Sequence, residues 1–437
     1  MPRRPGPGAQ KGGPLRRASG AKRSTFPGRG HRRCRRHPDQ ALYARRIGAA
    51  AGRRRLRGRN SRPGRIPLVR GARRPAARSA EVPPLGLAGR RQQIGVPTMV
   101  DTPMALSDTG PRDARGQWQP AGPRPEPPLF AWPPRPLAVF KWLFGFPGYL
   151  WPWTSLYVLI ALGTWLYLQP EIARCATFAF DWIAQLYGRN LALLILIVSA
   201  WHLHLYVRKA QGLQYKYSVE WLSTSNRKFL WGNQLWDNVF WNCASGVSVW
   251  TAYETLMMWA YANEMLPYVD WREDPVYFVA LLAAIPLWRL FHFYWTHRLT
   301  HWKPLYKAAH YLHHKNINVG PWSGLAMHPI EHLIYFSCIL IHWVVPSHPL
   351  HVLFNAQHAA LTPAQGHAGF DQLVVKDDAK LPAASYFHQL HHRYFECNYG
   401  ETDIPFDLWF GTYHDGSPAS HAAMRDKRRA IHQIQED

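Results

Sequence analysis

Two histidine triples of the same spacing, His310-His313-His314 and His388-His391-His392, stand on either side of a largely apolar stretch at 329–361. A fold that uses both triples together has to return the chain to the side from which it left, which restricts topology more than any other feature. Residues three and four apart share a helix face, so each triple presents two or three imidazoles from one helical turn. His297 and His301 do the same just upstream. Seventeen of the 23 histidines fall between 292 and 414, so imidazole is concentrated in one part of the chain.

Eight imidazoles in three groups exceed what one tetrahedral zinc accepts, whereas they fill most of the coordination around two octahedral ions. Neutral ligands leave much of the positive charge on such ions, and nearby carboxylates then matter through hydrogen bonds to the ligands. His328 and His367 are candidates for extra ligands. His292, His332, His342, His348, His351 and His414 read singly as polar groups at an interface.

Apolar runs at 149–168, 190–207, 243–262 and 275–291 read as bilayer crossings at 1.5 Å per residue, the third marked by Glu254. Trp151, Trp153, Trp259, Trp271 and Trp302 lie near their ends, as interfacial anchors do. Arg208, Lys209, Lys216, Arg227 and Lys228 make one loop cytoplasmic, and Asp270, Glu273 and Asp274 place another outside. The fourth span then delivers His297 and His301 to the cytoplasmic edge. One further crossing at 329–345 would separate the triples, but Pro346 and Pro349 split that stretch and predict a re-entrant hairpin. The expected fold is an all-α integral membrane protein with about four transmembrane helices plus a re-entrant helical hairpin. A cytoplasmic histidine-rich helical cap would hold a dinuclear metal site.

Residues 1–98 carry 27 Arg or Lys against Asp39 and Glu81, and the remainder balances 25 basic against 25 acidic groups, so the whole formal charge of +25 sits in the first segment. That segment reads as a disordered Arg/Pro/Gly-rich tail. It resembles translated upstream sequence, with a start at Met99 or Met104. No apolar core follows its basic residues, which excludes a signal peptide, and nothing in it supports specific nucleic-acid recognition. A flexible lead-in at 99–146, transmembrane helices at 147–283, a histidine-bearing domain at 284–414 and a polar tail at 415–437 complete the expected organisation. The five cysteines are scattered and support neither a disulfide scaffold nor a CxxC site.

His297-Arg-Leu-Thr-His301, His310-Tyr-Leu-His-His314, His328-Pro-Ile-Glu331 and His388-Gln-Leu-His-His392, with Asn398-Tyr-Gly400 and Asp407-Leu-Trp-Phe-Gly411-Thr412, resemble the sterol desaturase and fatty acid hydroxylase superfamily. The resemblance implies a non-haem di-iron membrane oxygenase that uses O2 to hydroxylate or desaturate an unactivated C–H position of a membrane lipid. It implies His297, His301, His310, His313, His314, His388, His391 and His392 as iron ligands, with His367 and His328 as further positions. Glu331 and Asp407 are candidates to support ligands, as is His292, which stands where the family commonly has an acid. The chain has no flavin, nucleotide or haem motif. Electrons are therefore expected from a cytochrome b5-like, ferredoxin or reductase partner. Trp288, Phe291 and Tyr294 are candidates to line a lipid channel.

Two other readings compete. His328-Pro-Ile-Glu331-His332 satisfies HxxEH, the inverted zinc-peptidase pattern, and would make a membrane zinc hydrolase. A non-catalytic lipid-binding membrane protein would use the histidines for packing alone.

Overall fold

The structure is a computed structural model that describes residues 110–122, 127–376 and 379–436. The basic tail at 1–98 and the start points Met99 and Met104 lie outside the described residues. Helix α1 (Pro136–Phe144) opens on proline and stops at Gly145. A π turn at Leu150–Thr154 leads into α2 (Ser155–Tyr167), and α3 (Phe180–His202) runs on through a π turn to Val207. The Asn233 side chain accepts from Trp236 N to start α4 (Gln234–Trp241), which passes into α5 (Val247–Ala262). Pro275 in the first turn and the Asp274 side chain, which accepts from Tyr277 N, start α6 (Pro275–Thr300).

Beyond α6 the elements are short. A single turn, α7 (Lys303–Leu305), and a π turn at Tyr306–His310 lead to α8 (Tyr311–His314). Helix α9 (Pro329–Phe336) continues as a 3-10 turn to Trp343, and α10 (Pro349–Gly366) runs back along it. Strands β1 (Gln372–Lys376) and β2 (Ala379–Pro382) form an antiparallel pair that the all-α expectation did not include. After them come α11 (Tyr386–Tyr394), α12 (Phe406–Trp409) and α13 (Pro418–Glu436).

Two helices among the described residues, at Phe180–Val207 and Pro275–Thr300, are long and apolar enough to cross a membrane. The expectation of four crossings is corrected accordingly. The run at 149–168 gives a helix that is kinked near its start at Trp151, and the run at 243–262 continues α4 through a π turn; neither is apolar enough over the length of a span to count as a crossing. Glu254 of α5 is fully buried against Arg189 of α3, and Asn190 donates to its other oxygen at 3.0 Å. An acid inside an apolar run is thus explained by a hydrogen-bonded ion pair.

The re-entrant hairpin is corrected as well. Chain reversal near Pro346 is present, and Tyr335 OH donates to Ala359 O while Asn355 reaches Cys338 O and His342. But α10 is enclosed by protein, packing against α2, α3, α5 and α6. Val352, Leu353, Phe354, Ala356, Ala359 and Leu361 are all inaccessible. A largely apolar helix buried on every side can be a central core helix as easily as a membrane-embedded arm. Gly324 marks how closely the strap before α9 lies on α10, since a Cβ there would stand 2.2 Å from Pro363 O.

Candidate metal centre

Three segments bring the histidines together. The last turn of α6 supplies His297, and His301 caps it. The π turn before α8 shifts His310 by one residue relative to an α-helix, so His310, His313 and His314 all point inward and are buried. Ser385 caps α11 by accepting from His388 N, and Phe395 ends it at φ 67°, so His388, His391 and His392 occupy a single buried helix.

His297, His301, His310, His314 and His391 form one group, and His313, His367, His388 and His392 form a second. Within each group one ligand nitrogen per residue lies within 4.8 Å of the others. Both α8 and α11 contribute to both groups, so the two are adjacent.

The nitrogens are disposed as ligands of cations. Each Nδ1 that meets a backbone carbonyl has to donate: His297 to Tyr399 O at 2.6 Å, His391 to Cys397 O at 2.7 Å and His367 to Pro363 O at 3.1 Å. Their Nε2 atoms then carry lone pairs. His391 Nε2 nonetheless faces His301 Nε2 at 3.2 Å and His314 Nε2 at 3.1 Å, and His310 Nε2 lies 3.0 Å from His301 Nε2. In the second group His367, His388 and His392 form a triangle of Nε2 atoms with sides of 3.1 Å. Nitrogens ~2.1 Å from an ion and at right angles to one another are about 3.0 Å apart, whereas tetrahedral angles spread them to about 3.4 Å. The observed separations fit octahedral ions with positions left open.

Burial favours the neutral form of these imidazoles. It pushes His313, His314, His388, His391 and His392 well below the ordinary imidazole range, with neighbouring histidines adding to the effect, and lowers His367 to about 4.

Two carboxylates hold this arrangement from behind. Glu331 accepts from His310 Nδ1 at 2.6 Å. Asp407 takes the backbone N–H groups of Tyr399 and Gly400 at 2.9 and 2.8 Å and the Thr412 hydroxyl at 2.6 Å. It thereby fixes the loop whose Tyr399 carbonyl orients His297. The carbonyls of Tyr399, Cys397 and Pro363 were not legible in the sequence, because any residue type supplies one.

Three expected positions fall elsewhere. His328 caps α9, accepting from Ile330 N at 3.3 Å, and belongs to neither group. His292 pairs with Ser337 Oγ at 2.9 Å. His332 uses both nitrogens, with Ser245 Oγ at 2.8 Å and Leu325 O at 3.0 Å. With Glu331 turned to His310, the HxxEH residues do not converge, and the zinc hydrolase reading loses its site.

A cavity of about 490 Å³ opens onto both groups through His297, His310, His313, His367 and His388. This is an ordinary volume for a small-molecule site. Phe293, Leu290, Ile334 and Tyr157 line it, but Trp288, Phe291 and Tyr294 do not. Trp288 donates to Cys338 O, and Phe291 and Tyr294 pack on Phe406.

The family model for fatty acid hydroxylases matches residues 282–412, the segment that carries both histidine groups and Asp407. This segment thus carries the pattern of the fatty acid hydroxylase family. The chain is 30% identical over 146 residues to the Delta(7)-sterol 5(6)-desaturase erg3C of Aspergillus fumigatus, covering 29% of this chain and 46% of that protein. It is 29% identical to the Delta(7)-sterol-C5(6)-desaturase of Nicotiana tabacum, covering 34% of this chain and 53% of the relative. Protein CER1-like 2 of Arabidopsis thaliana is 26% identical over 65% of this chain and 47% of its own length. The chain thus spans about half the length of the curated relatives it matches. No solved structure matches it.

Proposed function

We propose that the protein is a membrane lipid oxygenase of the hydroxylase and desaturase type, with two iron ions held by the nine grouped histidines. The observation that carries this reading is the set of Nε2 lone pairs facing one another at 3.0–3.2 Å at the end of a lipid-sized cavity. Iron is redox-active and zinc is not, so bound iron would supply the reduction of O2 needed to attack an unactivated C–H bond. The residues of this chain do the rest. Tyr399, Cys397 and Pro363 carbonyls and Glu331 hold Nδ1 protons and so keep Nε2 turned inward. Phe293, Leu290 and Ile334 exclude water and fix an alkyl chain.

Hydroxylation consumes O2, two electrons and two protons and yields the alcohol and one water. Desaturation with the same inputs removes two hydrogens and yields two waters. The electrons come from an external donor, cytochrome b5-like, ferredoxin or another reductase.

The centre faces the cytoplasm in this reading. The basic loop after α3 supports it, since Tyr217 N donates to Gly369 O at 2.9 Å beside His367, whereas the acidic loop before α6 lies at the opposite end of that helix.

Metal analysis with lipid mass spectrometry tests the proposal, using a His391→Ala/His392→Ala variant as control. Two irons per chain and a lipid that gains one oxygen or loses two hydrogens only with the intact protein are expected. Unchanged lipids with iron bound and electrons supplied would overturn it, and unchanged function and metal content in the double variant would favour a lipid-binding role without catalysis.

A further inference from the structure

Arg289 is a charged residue in the middle of the apolar helix α6, only 8% exposed, and it lines the cavity that ends at the histidines. Its Nη1 contacts His358 Nδ1 at 2.5 Å, donates to His358 O at 3.1 Å and to Thr362 Oγ1 at 3.2 Å, and its Nη2 donates to Tyr335 OH at 2.7 Å. Tyr335 is itself tied down, donating to Ala359 O at 2.8 Å. None of these partners is a carboxylate. The remaining donor, Nε, is buried and has no partner among the described residues. Glu401 and Asp403 line the same cavity; neither makes a hydrogen bond or close ion pair with Arg289 among the described residues, and although Glu401 feels the guanidinium charge, burial pushes its carboxyl up to about 8 and leaves it largely neutral at pH 7. A guanidinium taken out of water without a counter-ion costs several kcal/mol, and an ionisable group inside a crossing helix marks a ligand pathway by default.

We propose that Arg289 binds the oxyanion at the polar end of an amphipathic lipid and so sets which lipids enter and where they are oxidised. This rests on the oxygenase reading of the same cavity and adds the substrate's headgroup chemistry. The three neutral partners hold the guanidinium in one orientation before the ligand arrives, and Nε offers the free donor. Carboxylate and phosphate are the two groups that a guanidinium recognises best. Apolar walls at Leu290 and Phe293 lead from Arg289 towards His297, eight residues further along α6 and about 12 Å away at 1.5 Å per residue. An oxyanion on Arg289 therefore places the reacting carbon well down the chain, away from the headgroup. Neutral lipids that lack an anionic end leave the buried charge uncompensated and are selected against.

The test uses the intact protein in detergent and measures binding without turnover. Parinaric acid, a fluorescent polyene fatty acid, is compared with its methyl ester, and iron is measured in the same preparations. The acid is expected to bind about tenfold more tightly than the ester, and Arg289→Gln is expected to remove that preference while iron content stays unchanged. Displacement of the probe by a lysophosphatidic acid below the concentration needed for oleic acid assigns phosphate, and the reverse order assigns carboxylate. Equal binding of acid and ester by the wild-type protein overturns the proposal, as does an acid preference that survives in Arg289→Gln. The wild-type comparison decides the matter if the variant does not fold. Acid preference in a protein that takes up no iron would sink the oxygenase reading and leave the anion site standing.

Discussion

Glu331 accepts the Nδ1 proton of His310 across 2.6 Å, and both side chains are buried. The carboxylate sits on α9 and the imidazole on the π turn before α8, so this bond ties the first histidine group to the hairpin of α9 and α10. Removing such a partner typically lowers metal affinity about 10- to 100-fold. Glu331→Ala is expected to do so, measured by metal content after graded chelation. Glu331→Gln keeps an oxygen in place and should fall between the two.

Asp407 acts at one remove. Its two oxygens collect the Tyr399 and Gly400 N–H groups and the Thr412 hydroxyl, and the loop so formed carries the carbonyl that orients His297. Asp407→Ala leaves buried donors without acceptors and is expected to lower stability by about 2–4 kcal/mol and to loosen metal binding. Asp407→Asn retains one acceptor and should cost less. Denaturation curves of the metal-free forms would separate the effect on the fold from that on the ions.

Gly369 stands at φ 78°, and a Cβ there would lie 2.2 Å from Tyr206 OH and 2.8 Å from Val319 O. Tyr206 donates to both Val319 O and Ala368 O, which locks the segment after His367. Gly369→Ala combines backbone strain with a steric clash. It should displace His367 and empty the second histidine group before the first, seen as a fall from two bound ions to one.

The grouped histidines were legible in the sequence because their spacing repeats: an i, i+3, i+4 triple means the same thing on any helix turn. His367 was legible only as an extra candidate, on a par with His328, until its resemblance to a family position set it apart, since a lone histidine has no spacing to read. The misplaced His328 and HxxEH motif show the limit of a short pattern, where Pro329 makes His328 a cap and leaves Glu331 free to turn towards α8. The count of crossings failed for a different reason. Hydropathy does not distinguish a helix surrounded by lipid from one that packs on other helices: α5, read as a crossing, buries Glu254 against Arg189 of α3, and α10, read as part of the re-entrant hairpin, is enclosed by α2, α3, α5 and α6. Arg289 could have been noticed as a charge inside an apolar run, but its partners on α9 and α10 lie 46 to 73 residues away.

Lys216 gives the fold a pH dependence of known sign. It is fully buried, its Nζ donates to Ser218 O at 2.9 Å and Glu220 O at 2.7 Å, and burial pushes its pKa from the usual lysine range down to about 7. Between that value and 10.5 the unfolded chain binds the proton and the folded chain does not, so stability rises with pH across this window. Denaturation midpoints measured from pH 7 to pH 10 should rise in the wild-type protein. Lys216→Met should flatten that rise, and an unchanged slope would show that the amine is not buried in solution.

The histidines add a second dependence at lower pH, and metals oppose it. His367 is held near 4 by burial, so between 6.5 and about 4 the unfolded state takes up a proton that the native state refuses, and stability falls as pH drops. The other buried ligands are shifted in the same direction, so the metal-free protein should lose stability steeply below pH 6.5. Ions on Nε2 exclude protons from the same lone pairs, so the loaded protein should hold out to lower pH and then fail together with metal release. Thermal midpoints of loaded and stripped protein from pH 7.5 to 5 measure the gap, and curves that run parallel would mean that these imidazoles do not bind the ions.

Lys307 and Glu396 are exposed beside the histidine segments, and Glu273 is exposed at the opposite end of α6. If α6 crosses a bilayer, single cysteines at Lys307 and Glu396 have to label from one face and a cysteine at Glu273 from the other. The two triples meet within 4.8 Å, so no arrangement of the remaining helices can place positions 307 and 396 on opposite faces without dismantling the centre. Labelling of intact and inverted vesicles with a membrane-impermeant maleimide reads this directly. Protection of 273 in the orientation that exposes both 307 and 396 is the expected pattern, with Arg208→Cys following the histidine side because the basic loop packs there. Labelling of 273 and 307 from the same face would remove α6 as a crossing helix and leave the histidine centre on a protein that rests against the membrane surface.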